Sequence, residues 1–372
     1  MKLRQCMLIS LLLCSSAAMA AQDSRPYLLL SHDPDFLLSI EGLTDTVYDK
    51  GRVRLVTLKV PEAEVPADIM QFLRPVARGE ISSYRPQSPQ QPAPDPAVQA
   101  VTALADQSSL LSFTGAIVSS GKRSTRQLDL SPSSGNRAAM DYIYTAFKRM
   151  GYETERQCYK DRKADKECNI VARRPAGAPG ARAVLVIGHM DSVGYEKAGA
   201  DDNASGAAGV LEMARVLSRF RSDHDLIFVA ANGEETGTAG SKACARLLKA
   251  SGELARVDWA INMDMIAWNR DGTMNIETNK EFSAHADWVA AQAYTYTSLK
   301  PVITMPAWGS DHVPFLEAGI PTYLAIENWE DHTPCYHQAC DTMDSLSGSY
   351  AADIVRLNLA VIAGKTRLTA AD

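Results

Sequence analysis

Apolar runs alternate with amphipathic stretches through the second half of the chain. Unbroken apolar runs of strand length occur at residues 183–187, 226–230 and 259–263, the pattern of strands buried on both faces. Residues 206–220 and 241–251 lie between these runs and carry apolar side chains at helical spacing. Because strands and helices alternate, the sequence predicts an α/β fold with a mixed, mostly parallel central sheet and helices on both faces.

The first part of the chain has a different pattern. Residues 22–84 alternate apolar and polar side chains in places and predict a small β-containing N-terminal region. Residues 85–96 hold five prolines in twelve positions and predict an exposed, semi-rigid linker. Residues 97–372 would form the main domain. A protease could cut the linker, so residues 22–84 are either a removable prosegment or a permanent accessory region.

Residues 1–20 have the pattern of a secretory signal peptide. Two basic residues precede the apolar segment 7–13, and small residues at the end of the segment predict cleavage after Ala20 or Ala21. Cys14 would suit a lipoprotein, but the leucine before it is too bulky for that processing site. We therefore expect a secreted or periplasmic protein.

Export makes disulfides permissible. Five cysteines remain after the signal peptide, and their spacing suggests the pairs Cys158–Cys168 and Cys335–Cys340. The fifth, Cys244, lies in a predicted helix and is expected to be a buried free thiol.

Composition narrows the range of partners. Hydrophobic residues make up 46% of the 372 positions, enough for a sizeable core. The net charge of −6 argues against nucleic acid as the main partner. No run after the signal peptide approaches the roughly 18 apolar residues that a membrane span requires. We expect a monomer without a membrane span.

Chemically active side chains follow three of the predicted strands and precede one helix. Because the carboxyl ends of parallel strands meet at one sheet edge, these side chains should converge there. Adjacent acids at the start of a buried helix repel each other and lose solvation, unless a cation such as a metal ion lies among them. The alternative is that Asp202, Asn203 and Ser205 only cap the helix. The converging residues are His189, Asp191, Asp201, Asp202, Glu234, Glu235 and Asp264.

The adjacent pair Glu234 and Glu235 has a specific chemical use. One carboxylate can bind a metal while its neighbour takes a proton from metal-bound water. We predict Glu235 as the ligand and Glu234 as the general base.

Four segments together resemble the metal motifs of peptidase family M28, the cocatalytic dizinc aminopeptidases of the kind secreted by Vibrio and Streptomyces. The segments are residues 188–192, 199–206, 232–237 and 262–264. The resemblance covers residues 97–372. It implies a zinc-exopeptidase (phosphorylase/hydrolase-like) fold and two zinc ions per chain, about 3.5–4 Å apart.

The resemblance also implies a ligand set. Asp201 would bridge the two ions. The remaining ligands would be His189 and Asp264 for one zinc, and Glu235 and His337 for the other. His337 stands four residues before an Asp-Thr pair, as the distal histidine does in this family, although His312 is a competing candidate. Four residues are expected beside the ligands: Asp191, Asp202, Asp311 and His312. Of these, Asp191 would orient the imidazole of His189.

Two further features follow from the resemblance. Tyr336, in the loop bridged by Cys335 and Cys340, would support the oxyanion; the alternative is a packed aromatic residue. A cis peptide bond would follow the bridging aspartate, between Asp201 and Asp202.

The implied reaction is hydrolysis of the N-terminal peptide bond of peptides with a free N-terminus, with a preference for large apolar residues such as leucine. Two other enzymes on this fold remain as alternatives, a single-zinc glutaminyl cyclase and a metallocarboxypeptidase. A non-catalytic binding module is the alternative outside enzymology, although such relatives lose the ligands that this chain retains.

Overall fold

The structure is a computed structural model. It describes residues 25–29, 34–50, 53–70, 72–76, 82–86, 94–124, 134–161, 164–193 and 198–371. The predicted signal peptide at residues 1–20 and the middle of the predicted linker lie outside these residues.

The described part of the chain contains ten α-helices and fifteen strands. The strands are β1 (Tyr27–Leu29), β2 (Thr44–Lys50), β3 (Val53–Leu58), β4 (Leu73–Pro75), β5 (Ser82–Tyr84), β6 (Glu153–Asp161), β7 (Ala164–Arg174), β8 (Ala183–His189), β9 (Phe220–Ser222), β10 (Asp225–Ala231), β11 (Val257–Met263), β12 (Thr273–Glu277), β13 (Lys300–Met305), β14 (Thr322–Glu327) and β15 (Leu368–Ala370). The helices are α1 (Pro34–Ile40), α2 (Ala67–Met70), α3 (Pro96–Thr102), α4 (Gln107–Val118), α5 (Gly135–Arg149), α6 (Gly206–Leu217), α7 (Ala239–Ala250), α8 (Ser283–Tyr296), α9 (Val313–Glu317) and α10 (Gly348–Lys365).

The main domain is built on a nine-stranded mixed sheet with the order β5-β13-β12-β14-β11-β8-β10-β7-β6. Its centre, β14, β11, β8 and β10, is parallel, as are β12 and β13 to each other. The remaining neighbours are antiparallel. The three apolar runs form β8, β10 and β11, as predicted. The helix predicted at residues 206–220 ends earlier, at Leu217, because Phe220 begins strand β9, which pairs with β15.

Helices cover both faces of this sheet, as the sequence predicts. One face packs against α6 and α10, where Leu211 and Ile354 are fully buried in the larger apolar cluster. The other face packs against α7 and α9, where Leu248 and Phe315 lie in one buried apolar cluster with side chains of β8 and β10. The central strands are therefore buried on both sides, and their polar residues lie at the strand ends.

The predicted N-terminal β region is a separate four-stranded antiparallel sheet with the order β2-β3-β1-β4. Leu28, Leu55 and Val76 from this region pack against Trp308 of the main domain. Phe72 contacts the backbone at Gly237, where an added Cβ would lie 2.6 Å from its ring. Residues 82–84 leave this region and pair with β13 as β5. The N-terminal region is therefore connected to the main sheet both by packing and by strand pairing.

Both predicted disulfides are present. Cys158 and Cys168 face each other on β6 and β7, and Cys335 and Cys340 close a short loop. Cys244 is a buried free thiol, as predicted. In the described part of the chain, no helix has the length and apolar character needed to cross a membrane.

Candidate metal centre

Three parallel strands deliver their terminal residues to one point, as the sequence predicts. His189 is the last residue of β8, Glu234 and Glu235 follow β10, and Asp264 follows β11. The Nε2 atom of His189 lies 3.5 Å from Oδ1 of Asp264 and 4.0 Å from Oε2 of Glu234. The register of the parallel ladder therefore brings together residues separated by more than 70 positions.

Asp202, and not Asp201, lies between the two histidines. One carboxylate oxygen of Asp202 is 3.6 Å from Nε2 of His189, and the other is 3.0 Å from Nε2 of His337. The carboxylate of Asp201 instead accepts hydrogen bonds from the amide of Ala267 at 2.8 Å and the hydroxyl of Ser205 at 3.1 Å. The prediction that Asp201 takes the bridging position is therefore wrong. The cis peptide bond is displaced in the same way, since it joins Asp202 to Asn203.

Three groups of side chains in the described part of the chain could each hold a metal ion, with ligand atoms within 4.8 Å of one another. They are His189 with Asp202 and Asp264, Asp202 with Glu235 and His337, and His189 with Glu234 and Glu235. The first two groups share Asp202. This arrangement suits two adjacent cations bridged by one carboxylate.

The chemistry of these side chains fits zinc. The Nε2 atom of His189 and the Oε1 atom of Glu235 are buried, and neither forms a hydrogen bond within the described residues. Burial and the nearby Asp202 carboxylate raise the pKa of Glu235 to about 7. Burial alone would lower the pKa of His337, but the carboxylates of Glu235 and Asp202 outweigh it and raise the pKa to about 10. Imidazole nitrogens and carboxylate oxygens are ordinary zinc ligands, and a cation would offset this concentration of buried acids.

Asp191 lies behind the cluster, at the position the sequence predicts. Its carboxylate accepts hydrogen bonds from the backbone amides of Glu234 at 3.3 Å and Glu235 at 3.2 Å. The same carboxylate lies 3.5 Å from Nδ1 of His189. Asp191 therefore orients both the imidazole and the turn that carries the two glutamates.

His312 is directed away from the proposed ligands. Its Nε2 atom lies 3.1 Å from Oε1 of Glu277, and both side chains are fully buried. The choice of His337 over His312 agrees with this geometry, because His337 contacts Asp202 and Glu235. Asp311 is also buried, and burial raises the pKa of its carboxyl to about 7.

Tyr336 stacks directly on His337, with ring centroids 3.8 Å apart. The Tyr336 ring also packs against the buried side chains of Met265, Leu324 and Ile326. The residue is therefore both a packed aromatic and a neighbour of the second ligand group.

Three residues of the site were not identified from the sequence. The carboxylate of Asp341 accepts hydrogen bonds from the amides of Asp201 at 2.8 Å and Asp202 at 3.0 Å. The hydroxyl of Ser310 donates to Asp264 at 2.9 Å. Burial and the adjacent Asp201 raise the pKa of Glu327 well above its usual range. Glu327 ends β14, so extending the strand-end rule to a fourth apolar run would have found it.

Comparisons with known proteins agree with this geometry. The family model described as Peptidase family M28 matches residues 169–362, more than half of the chain. The chain is 32% identical over 188 residues to aminopeptidase YwaD of Bacillus subtilis, covering 48% of this chain and 40% of YwaD. It is 30% identical over 234 residues to leupeptin-inactivating enzyme 1 of Streptomyces exfoliatus, covering 57% of this chain and 51% of the relative. The chain thus spans about half or less of these two relatives.

The crystal structure of LapB from Legionella pneumophila has the same fold, with a TM-score of 0.66 at 17% identity. The match covers 91% of this chain and 98% of LapB. Because residues 97–372 are about three quarters of the chain, the match extends beyond the main domain into the N-terminal region.

Proposed function

The chain belongs to peptidase family M28, and from this premise we propose that it is a zinc-dependent aminopeptidase that hydrolyses the N-terminal peptide bond of peptides. The observation that carries the proposal is the position of Asp202, whose two carboxylate oxygens face His189 and His337. A carboxylate shared between two ligand groups is the arrangement that a pair of cocatalytic ions requires.

Two zinc ions per chain would be held by the groups that share Asp202. His189 and Asp264 would complete one site, and Glu235 and His337 the other. When bound, the ions would polarise the scissile carbonyl group and lower the pKa of a water molecule.

Glu234 is the proposed general base. Its carboxylate belongs to neither of the groups that share Asp202, yet it lies 4.0 Å from Nε2 of His189. Burial raises the pKa of Glu234 well above its usual range. A carboxylate of raised pKa can take a proton from the attacking water and return it to the leaving amine.

Tyr336 is the proposed oxyanion donor. Its ring lies against His337, so its position beside the second ligand group is set by stacking. A phenolic hydroxyl near the scissile carbonyl would stabilise the negative charge that develops on oxygen.

Substrate and location complete the proposal. The substrates would be peptides with a free N-terminus, with large apolar residues such as leucine preferred, and the enzyme would act as a monomer. Residues 1–20 support export to the periplasm or beyond.

One experiment tests the reaction and its metal together. The purified protein is analysed for zinc and assayed on leucine p-nitroanilide and on the N-acetylated form of the same compound. We expect two zinc ions per chain, hydrolysis of the free-amine substrate only, loss of activity on chelation and recovery on adding zinc. Cyclisation of an N-terminal glutamine with one zinc per chain would instead favour a glutaminyl cyclase. Release of C-terminal residues would favour a carboxypeptidase, and zinc binding without turnover a binding module.

A further inference from the structure

Arg123 is a fully buried arginine whose side chain binds three backbone carbonyl groups. Its Nε atom donates to the carbonyl oxygen of Met190 at 2.7 Å. The two terminal nitrogens donate to those of Ala198 at 2.8 Å and Gly199 at 2.6 Å. The planar guanidinium group presents its donors in a fixed geometry, so these carbonyl groups are held in a fixed relation to one another.

The three carbonyl groups belong to two different ligand-bearing segments. Met190 lies between His189 and Asp191, at the end of β8. Ala198 and Gly199 come just before the turn that presents Asp202. Arg123 therefore spans the gap between the segment of one histidine ligand and the segment of the shared carboxylate.

The segment that leads to Asp202 is also held from its other side, by Asp341. Asp341 accepts hydrogen bonds from the backbone amides of Asp201 and Asp202, and its carbonyl oxygen accepts one from Ala200 at 3.3 Å. A buried cation thus binds carbonyl groups of this segment while a buried carboxylate binds its amides. The carbonyl and amide groups of this segment thus form hydrogen bonds that do not use the side chain of Asp202.

The backbone of Arg123 is itself anchored to the site. Its carbonyl oxygen accepts hydrogen bonds from the side-chain amide of Asn136 at 2.9 Å and from the backbone amide of Ser192 at 3.4 Å. The same Asn136 amide group donates to the side-chain oxygen of Asn232 at 2.8 Å. Asn232 precedes the turn of Glu234, so the network reaches a third segment of the site.

The charge of Arg123 suits this location. Burial lowers the pKa of Arg123 to about 10, while the carboxylates of Asp341, Asp191 and Asp202 act in the opposite direction. The guanidinium is therefore charged at neutral pH. It partly balances the acids without using any of the proposed ligand atoms.

We propose that Arg123 is a positioning residue that sets the separation between His189 and Asp202, and so determines how tightly the two ligand groups bind zinc. The inference rests on the zinc centre proposed above. It concerns the geometry of the ligands before substrate binds, and so it is tested by metal binding rather than by turnover.

The test compares substitutions at Arg123 with the same substitutions at Arg256. Arg256 lies at the opposite edge of the sheet, where it donates to the carbonyl oxygen of Ala181 at 2.7 Å and to Asp225 at 2.7 Å. Zinc dissociation constants of the full chain are measured by competition with a chromogenic chelator, on protein whose folding is verified by circular dichroism. We expect Arg123→Met to weaken zinc binding about 10–100-fold, and Arg256→Met to leave it within about twofold.

Arg123→Lys separates position from charge. A single ammonium group keeps the charge but cannot reproduce the planar fork that spans both segments, so we expect at least about tenfold weaker zinc binding. Wild-type zinc affinity in Arg123→Lys would overturn the inference, even if Arg123→Met does not fold. Equal losses at Arg256 would also overturn it, because they would indicate a general loss of stability. If the unsubstituted chain binds no zinc, the proposed metal centre fails instead.

Discussion

The two ends of the same parallel strands balance their charges in different ways. At the amino ends of β8, β10 and β11, each acid has an arginine partner: Asp225 pairs with Arg256 at 2.7 Å, and Asp258 pairs with Arg182 as well as contacting His224 at 3.2 Å. At the carboxyl ends, Asp202 and Glu235 contact histidine rings. The side chains of these acids are 6% and 8% exposed, against 18% for Asp225 and 32% for Asp258 at the amino ends.

The difference indicates where the fold depends on a ligand. Arginine at the amino ends is permanently charged, so those acids need nothing further. Histidine at the carboxyl ends is neutral when it binds a metal, so the acids there need a cation. The charges of the acids at the amino ends are therefore balanced within the chain, whereas those at the carboxyl ends would be balanced by zinc.

The sharpest way to test this contrast is to neutralise one glutamate at each end. We expect Glu234→Gln to lower kcat on leucine p-nitroanilide by about 10²–10⁴-fold, because the amide cannot accept a proton. Zinc content should stay at the unsubstituted level, since the proposed ligands remain. Glu253→Gln, at the amino ends, removes a partner of Arg173 and should leave kcat unchanged. Retained turnover in Glu234→Gln would refute its role as the base.

Substitutions at the neighbouring aspartates Asp201 and Asp202 give a second test at the carboxyl ends. Asp202→Asn should weaken zinc binding by more than about 100-fold, because both ligand groups lose their shared carboxylate. Asp201→Asn should bind zinc far more tightly than Asp202→Asn, because an amide oxygen can still accept the hydrogen bonds from Ala267 and Ser205. Zinc titration of the two variants measures the difference. The opposite ranking would restore Asp201 as the bridging residue.

The smallest expected effect is on stability as a function of pH. In the metal-free folded protein the pKa values of Glu235 and Asp341 are about 7, above those of unfolded carboxyl groups. Their stabilising contribution is therefore fully present below about pH 4 and is lost as pH rises through 7. Between pH 5 and 8 the free energy of unfolding of the metal-free protein should therefore fall.

Zinc should reverse this trend, because the ligands must lose their protons before they bind the metal. Calorimetric Tm values at pH 5 and pH 8, with chelator and with zinc, measure both slopes. A metal-free protein whose Tm rises from pH 5 to pH 8 would contradict the charge contrast between the two ends.

The sequence is sufficient to predict the main features of this arrangement, because the central strands are unbroken apolar runs. Their carboxyl ends must meet in a parallel sheet, which predicts the convergence of His189, Glu235 and Asp264. The sequence is not sufficient to distinguish the role of Asp201 from that of Asp202, because both are aspartates in the same turn. That choice depends on hydrogen-bond donors such as Ala267, which lies 66 positions away from Asp201.

Arg123 and β5 were missed for a related reason. Arg123 is isolated in the sequence from the carbonyl groups that it binds, the nearest lying 67 positions away. Strand β5 has three residues, and it pairs with β13 more than 200 positions further along the chain. Neither feature has a local pattern, since both are created by tertiary contacts.

The pairing of β5 with β13 has a consequence for any proteolytic processing of this chain. A cut at residues 87–93 would leave Ser82–Tyr84 hydrogen-bonded to the sheet and Leu28 packed on Trp308. Departure of the severed piece would expose β13 as an open edge strand, a surface on which other chains can add. Nicking alone would therefore yield a two-chain protein held together by noncovalent contacts, and the two fragments would separate only under conditions that disrupt the sheet.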